Sequence, residues 1–470
     1  MLFALAFLAL GPGATLQAPA ADPAALKKSC DKGTAADCLQ LAGFHARGEH
    51  VPKDPGKAAS LLKKACELNL ATACAELAAA YRRGEGVKPD AERAAQLYQK
   101  ACDGGVAAAC ADLGAILQDG HELQKSLGRA SELLGRACEG RVTASCGRLG
   151  AMYADGSPMA KDEAKAAALF DRACTGGDGP SCGRLAAVLS EGGAALPREA
   201  VRAAVAATRG CELGDVPACV LQGYAQAKGD GTPRDAAHAA ELFTRACDAG
   251  NPRGCLGLGE LTRDGAGTTR DLARAAELFR RACDGHLGVG CQELALLSAR
   301  GQGVPRDPAR AANLYGQACS YGEPRGCLSL ARLYLDGPGV VHEPPRAVAF
   351  LEQGCSMRLL AACSVLAGIL DKGELAPRDT DRARSLYQKT CDGGINADCY
   401  GLALLLQRTQ APRTAVLDSL GKACDGGSAP ACRDLGTVWE RQPDKALAFY
   451  RKACTAGDTA SCARVRRGHP

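Results

Sequence analysis

Apolar residues along the chain fall into short stripes of helical period separated by polar, glycine-containing joints. From Cys327 the chain runs CLSLARLYLDGPGVVHEPPRAVAFLEQGC, with Leu330, Ala331, Leu333 and Tyr334 three and four positions apart. That spacing puts them on one face of a helix, here called helix A. A second stripe, RAAELFRRAC from Arg274 to Cys283, gathers Ala, Leu and Phe on one face of a helix B. Ten of twelve such A segments have glycine at the tenth position after their cysteine, from Gly48 to Gly373 and including Gly337. A left-handed cap is expected there to end helix A. Helix B is announced by Asp54-Pro55, Asp235, Asp271 and Asp307-Pro308. An Asp side chain accepts from the free N–H groups of a first helical turn, and proline fits the first helical position.

Cysteines set the period. They pair as Cys30 with Cys38, Cys66 with Cys74, Cys102 with Cys110, Cys138 with Cys146, Cys174 with Cys182, Cys211 with Cys219 and Cys247 with Cys255. The series continues as Cys283 with Cys291, Cys319 with Cys327, Cys355 with Cys363, Cys391 with Cys399, Cys424 with Cys432 and Cys454 with Cys462. First cysteines recur every 36 residues, apart from one step of 37 and final steps of 33 and 30. The chain therefore reads as twelve copies of one αα-hairpin, with half a unit at each end. Neither helix buries its apolar face alone, so successive hairpins stack into an all-α solenoid. At roughly 10 Å per layer, twelve pairs give a contour on the order of 100 Å. Stacking also explains how 470 residues avoid a single core, since such cores stop growing at roughly 250 to 300 residues.

Within one continuous helix, eight residues span about 12 Å, too far for a disulfide's Cα separation of roughly 6 Å. The Asp-Gly-Gly between Cys102 and Cys110 removes that objection by turning the chain. A competing connectivity joins the second cysteine of a pair to the first of the next, 28 residues on. That interval becomes 29, 25 and 22 where units change length, while the eight-residue interval is constant, which fits pairing across the short interval. Each bond closes a loop of nine residues and contributes about 2 to 3 kcal/mol. An even count of 26 favours an oxidising compartment. C-x2-C is missing, and His45, His50, His121, His238, His286, His342 and His469 share no repeat position, so neither metal nor thiol-redox chemistry is expected and no cofactor is implied.

Composition refines this picture. Apolar residues make up 47% and aromatics only 4%, so the interior should rest on small helix-to-helix contacts. A net charge of +5 without long basic runs lacks a nucleic-acid footprint. Residues 1–20 read as a signal peptide, with the apolar segment MLFALAFLAL and an Ala18-Pro19-Ala20 cleavage match, although no Lys or Arg precedes Lys27. A buried N-terminal helix is the alternative. Ten apolar residues are too few to span a bilayer, and no other stretch approaches that length. Residues 21–37 are expected to form a capping half-repeat, 38–462 the solenoid and 463–470 a tail.

The unit C-x-x-L-[AG]-x-x-Y…G-x-G-V…A-A-x-L-[FY]-x-[KR]-A-C resembles Sel1-like repeat proteins and, with its cysteines, most resembles the Helicobacter cysteine-rich protein family. That likeness runs from Cys30 to Cys462. It implies a right-handed superhelix related to tetratricopeptide repeats, helix B to helix A disulfides, and a secreted or periplasmic protein. Units after Cys399 and Cys432 depart by lacking the G-x-G loop.

Members of that family are described as penicillin-binding proteins with weak β-lactamase activity. A serine β-lactamase needs S-x-x-K with S-D-N and K-T-G elements. Ser60-Leu61-Leu62-Lys63 and Ser419-Leu420-Gly421-Lys422 match the first element, but the other two do not occur. Both matches fall inside B helices, where Ser and Lys are expected as ordinary surface residues. Gly84-Glu85-Gly86 and Gly301-Gln302-Gly303 lack the lysine of a phosphate loop and read as turns. The favoured expectation is a non-enzymatic scaffold gripping a protein or peptide on its concave wall of A helices; the alternative is a β-lactam hydrolase. The fifth position after the second cysteine holds Ala79, Ala115, Ala151 and Ala187 early, then Tyr224, Glu260, Leu296 and Arg332. If it faces the groove, Tyr224, Glu260 and Arg332 are the candidate partner-binding residues.

Overall fold

A computed structural model describes residues 22–193 and 196–468 of the chain. The expected signal peptide, residues 1–20, lies outside the described residues. Contacts divide the chain into two compact units, Met1–Ala218 and Cys219–Pro470. The first contains α1 (Pro23–Asp31), α2 (Ala35–Arg47), α3 (Pro55–Glu67), α4 (Ala71–Arg83), α5 (Ala91–Asp103) and α6 (Ala107–Asp119). It continues with α7 (Leu127–Glu139), α8 (Thr143–Asp155), α9 (Glu163–Thr175), α10 (Gly179–Glu191) and α11 (Ala200–Glu212).

The division falls early in α12 (Val216–Lys228). The second unit goes on through α13 (Ala236–Asp248), α14 (Pro252–Asp264), α15 (Leu272–Asp284), α16 (Gly288–Arg300), α17 (Pro308–Ser320), α18 (Pro324–Asp336) and α19 (Pro344–Ser356). It ends with α20 (Leu360–Lys372), α21 (Thr380–Asp392), α22 (Asn396–Arg408), α23 (Arg413–Asp425), α24 (Ala429–Val438), α25 (Pro443–Thr455) and α26 (Thr459–Arg467). Even-numbered helices are the A helices and odd-numbered ones the B helices. Within each unit a helix packs chiefly on those before and after it, as in α4 with α5 and α16 with α17. Both units are therefore solenoid stacks of helix pairs, held by nearest-neighbour interfaces. Among the described residues no helix is long and apolar enough to cross a membrane.

Helix ends follow the chemistry of the joints. Asp54, Asp235, Asp271 and Asp307 each accept a hydrogen bond from the backbone N–H three residues on, at 2.8–3.0 Å. A helices end in left-handed glycines at Gly48, Gly84, Gly120, Gly156, Gly265, Gly301 and Gly373, with φ of 68° to 76°. Gly337 departs from the expected left-handed cap, with φ −75° and ψ 129°. Pro338 follows it, and the residue before proline is pushed into the extended region; the positive φ passes to Gly339. In the shortened joint after α22 no glycine is available, and Gln410 takes the positive φ.

The seam between successive pairs is covalent. Every pair from Cys30–Cys38 to Cys174–Cys182, and from Cys247–Cys255 to Cys454–Cys462, is bonded across eight residues with Cα atoms 4.5–4.8 Å apart. Cys211 and Cys219 are disulfide-bonded as well, and among the described residues no cysteine is free. Disulfides at this density mark an oxidising environment.

A second tie explains the basic residue of [KR]-A-C. Lys100 donates to the Cys66 carbonyl at 3.0 Å, Arg136 to the Cys102 carbonyl at 2.8 Å and, in the second unit, Arg281 to the Cys247 carbonyl at 2.8 Å. In these three cases a B helix satisfies a carbonyl at the C-terminal end of the B helix before it, where cations are favoured.

In most B helices the core receives an aromatic ring four residues before the cysteine, and in α3, α7, α19 and α23 a leucine takes its place. Phe170, Phe243 and Phe279 are 0–1% exposed. Phe243 presses on Gly223 and Phe279 on Gly259, so close that an added Cβ would sit 2.7 and 2.6 Å from the rings. The [AG] position of the repeat is small because the ring needs that space.

Candidate binding surface

The fifth position leaves the packed stripe, as its place in the helical period requires. Ala79, Ala115, Ala151, Ala187, Tyr224, Glu260 and Leu296 are half-buried there, and Arg332 is exposed. In the first unit this face carries a cavity of about 560 Å³ between α2, α3 and α4. Helix α4 contributes Glu76, Ala79, Ala80 and Arg83, the second, fifth, sixth and ninth positions after Cys74. In the second unit a cavity of about 230 Å³ on α20 is lined by Val365, Gly368, Ile369 and Lys372, the same four positions after Cys363. Both cavities follow a B helix whose ring position holds leucine, Leu62 and Leu351, and both have a small residue in fifth place.

Between α12 and α18 the fifth position projects side chains instead. The Tyr224 ring meets Phe243 edge-on with centroids 4.8 Å apart, and the Lys228 ammonium lies 5.7 Å from its centroid. Burial, and then the Glu260 carboxylate, push the Tyr224 phenol above its ordinary range. Burial also raises the Glu260 carboxyl; Arg263 opposes the rise and Glu293 adds to it. Arg263 is itself committed to Asp264 at 2.8 Å and Glu293 at 2.5 Å. Glu260 makes no hydrogen bond or ion pair among the described residues, and neither does Arg332. Tyr224 and Glu260 are thus brought into one electrostatic neighbourhood, while Arg332 lies two repeats beyond Glu260 on α18.

The two S-x-x-K matches behave differently from each other. Ser60 is exposed and donates to the Lys57 carbonyl at 2.8 Å, while Lys63 turns to Glu67 at 3.8 Å. Ser419 is buried, contrary to the expectation of a surface residue, and donates to the Ala415 carbonyl at 2.9 Å. It stands where other B helices carry core leucines such as Leu242 and Leu278, so the register takes it inside. Lys422 points outward to Asp392 and Asp418 at 3.2 and 3.3 Å. In both matches the serine hydroxyl is spent on a helix carbonyl and the lysine on acids.

The Sel1 repeat profile matches residues 35–70, 71–106, 107–141, 143–178, 216–251, 252–286, 289–322, 324–358, 360–395 and 431–458. The chain belongs to the Sel1 repeat family. Two pairs of this Sel1 protein escape the profile, α10 with α11 and α22 with α23, although the structure folds both as repeats. Helix α11 carries Ala206 and Ala207, and α23 Ser419 and Leu420, where other repeats place leucine and an aromatic ring. No curated protein matches the chain. Among solved structures, a protective antigen of uropathogenic Escherichia coli with an SLR fold is 20% identical, with TM-score 0.63 over 95% of this chain and 97% of that one. A Sel1 repeat protein from Oxalobacter formigenes is 21% identical, with TM-score 0.48 over 66% and 90%. The first likeness shows the Sel1 fold over the length of the chain.

The cavity-lining positions could have been found in the sequence. A small fifth residue after a B helix with leucine in the ring position is common to both cavities and is visible once the repeats are aligned on their cysteines, although α8, with Leu134 and Ala151, shares it.

Proposed function

We propose that this Sel1 protein is an exported scaffold, secreted or periplasmic, that binds a protein or peptide partner along its A-helix face without performing catalysis. The observation that carries this reading is a shared register: positions outside the packed stripe line cavities where they are small and present Tyr224, Glu260 and Arg332 where they are large. A half-buried tyrosine beside an unpaired carboxylate, followed along the face by a free guanidinium, offers directional contacts to an extended chain. Disulfides throughout the stack support export to an oxidising compartment.

Immobilised, oxidised protein should retain a defined partner from the envelope or culture fluid of the source cell. The triple variant Tyr224→Ala, Glu260→Ala and Arg332→Ala should lose it. Unchanged retention by that variant removes these residues from the site. Nitrocefin turnover above background that Ser60→Ala abolishes would replace the scaffold reading with an enzyme.

A further inference from the structure

The cavity of the first unit carries opposite charges at its two ends, and neither is fully answered within the chain. Glu76 and Arg83 leave α4 seven residues apart, nearly two whole turns, so both stand on the face that lines the cavity. Along the helix axis they are about 10 Å apart. The Glu76 carboxylate makes no hydrogen bond or ion pair among the described residues. Burial pushes it above the usual carboxylate range, and Arg47, the cation that opposes the rise, is held by Glu49 at 2.8 Å. A carboxylate partly withdrawn from water without a partner gains from an incoming cation.

At the other end Arg83 grips Glu85 through two hydrogen bonds, 2.8 and 2.9 Å long. That fork cancels one charge of each sign. Glu85 is held below the usual carboxylate range by Arg83 and, more weakly, by Lys53. Lys53 forms no ion pair among the described residues, so its ammonium is the charge left over at this end. Between the two ends the wall is Ala58, Ala59, Leu62, Ala79 and Ala80, none of which offers a side-chain hydrogen bond.

Volume and length agree on the guest. About 560 Å³ lies within the range of small-ligand sites. Three extended residues span about 10 Å, close to the axial offset between Glu76 and Arg83. A free peptide of that length carries an ammonium at one end and a carboxylate at the other. A guest of a single charge would satisfy one end of the cavity and leave the other unanswered.

We propose that the cleft between α2, α3 and α4 binds a short zwitterionic peptide of about three residues, its terminal ammonium on Glu76 and its terminal carboxylate on Lys53. This site lies in the first unit, whereas Tyr224, Glu260 and Arg332 lie in the second, so the two readings fail separately.

The test uses the full-length oxidised protein with labelled alanine and leucine methyl groups, titrated with tri-alanine, with its N-acetylated and C-amidated forms, and with free alanine. Methyl signals of Ala59, Leu62 and Ala79 should shift saturably with tri-alanine, in roughly the millimolar range or below. Each capped form, and alanine itself, should bind at least ~10-fold more weakly. Glu76→Gln should bring tri-alanine down to the affinity of its N-acetylated form while amidation still weakens binding; Lys53→Gln should do the reverse. Circular dichroism and melting curves establish that each variant is folded, and the capped probes test the wild-type chain independently of the variants. The proposal is overturned by the absence of a saturable shift, by capped forms that bind as well as the free peptide, or by a folded Glu76→Gln variant that still rejects the N-acetylated form. A doubly capped peptide with lysine and glutamate side chains that binds as tightly as tri-alanine would move recognition from the termini to side chains and overturn it as well.

Discussion

The A helices of the two units share one framework and differ in what they show to solvent. In the first unit, α4, α6, α8 and α10 present Ala79, Ala115, Ala151 and Ala187; in the second, α12, α14, α16 and α18 present Tyr224, Glu260, Leu296 and Arg332 before α20 returns to the small Gly368. Behind both faces stand the same disulfide seam and the same buried ring, Phe170 in one unit and Phe279 in the other. This difference lies at a position outside the packed stripe, from which Tyr224 reaches back onto the Phe243 ring. Variation there changes which ligand the face fits without asking the stack to repack.

The largest effect should show that the framework is common. Phe170→Ala and Phe279→Ala should each cost about 3 to 5 kcal/mol of local stability, read from amide exchange in the flanking helices. A clear inequality would mean that the units are held differently. Next, replacing Cys102 with Cys110, or Cys283 with Cys291, by serine pairs should cost about 2 to 3 kcal/mol in either unit, again by exchange at the opened seam. The smallest effect compares the faces themselves. Glu76 and Glu260 both have carboxyl pKa values raised mainly by burial. Their folded forms hold the proton more tightly than the unfolded chain, so their ionisation lowers stability as pH rises through the folded value. Glu76→Gln and Glu260→Gln should melt at or above the wild-type temperature at pH 7, and the difference should close in acid. The opposite trend in one unit would show that a cation holds its carboxylate and that the two faces differ in electrostatics as well as in size.

Repeat number, pairing of the cysteines and most helix ends were legible because each is written many times over in one chain. Asp307 before Pro308 and Gly301 after Arg300 carry their local physics with them. Gly337 was misread because the repeat was trusted over the proline beside it, a signal one residue away. Ser419 was misread because its S-x-x-K context hid its register, which is that of a core leucine. The cleft at Ala79 was harder, since it depends on how far the Leu62 side chain of one helix reaches toward the next. Even there, the contrast of Leu62 with Tyr98 and Phe170 was available from the aligned repeats.

The hydrogen bond from Lys100 to the Cys66 carbonyl, and its counterparts at Arg136 and Arg281, make these repeats the finishing pieces of those before them. A deletion ending mid-unit would orphan a carbonyl and a thiol together, whereas loss or gain of a whole unit would join equivalent edges. Lineages of such a chain should therefore vary in length by whole modules, growing and shrinking by duplication and excision in steps of one cysteine pair.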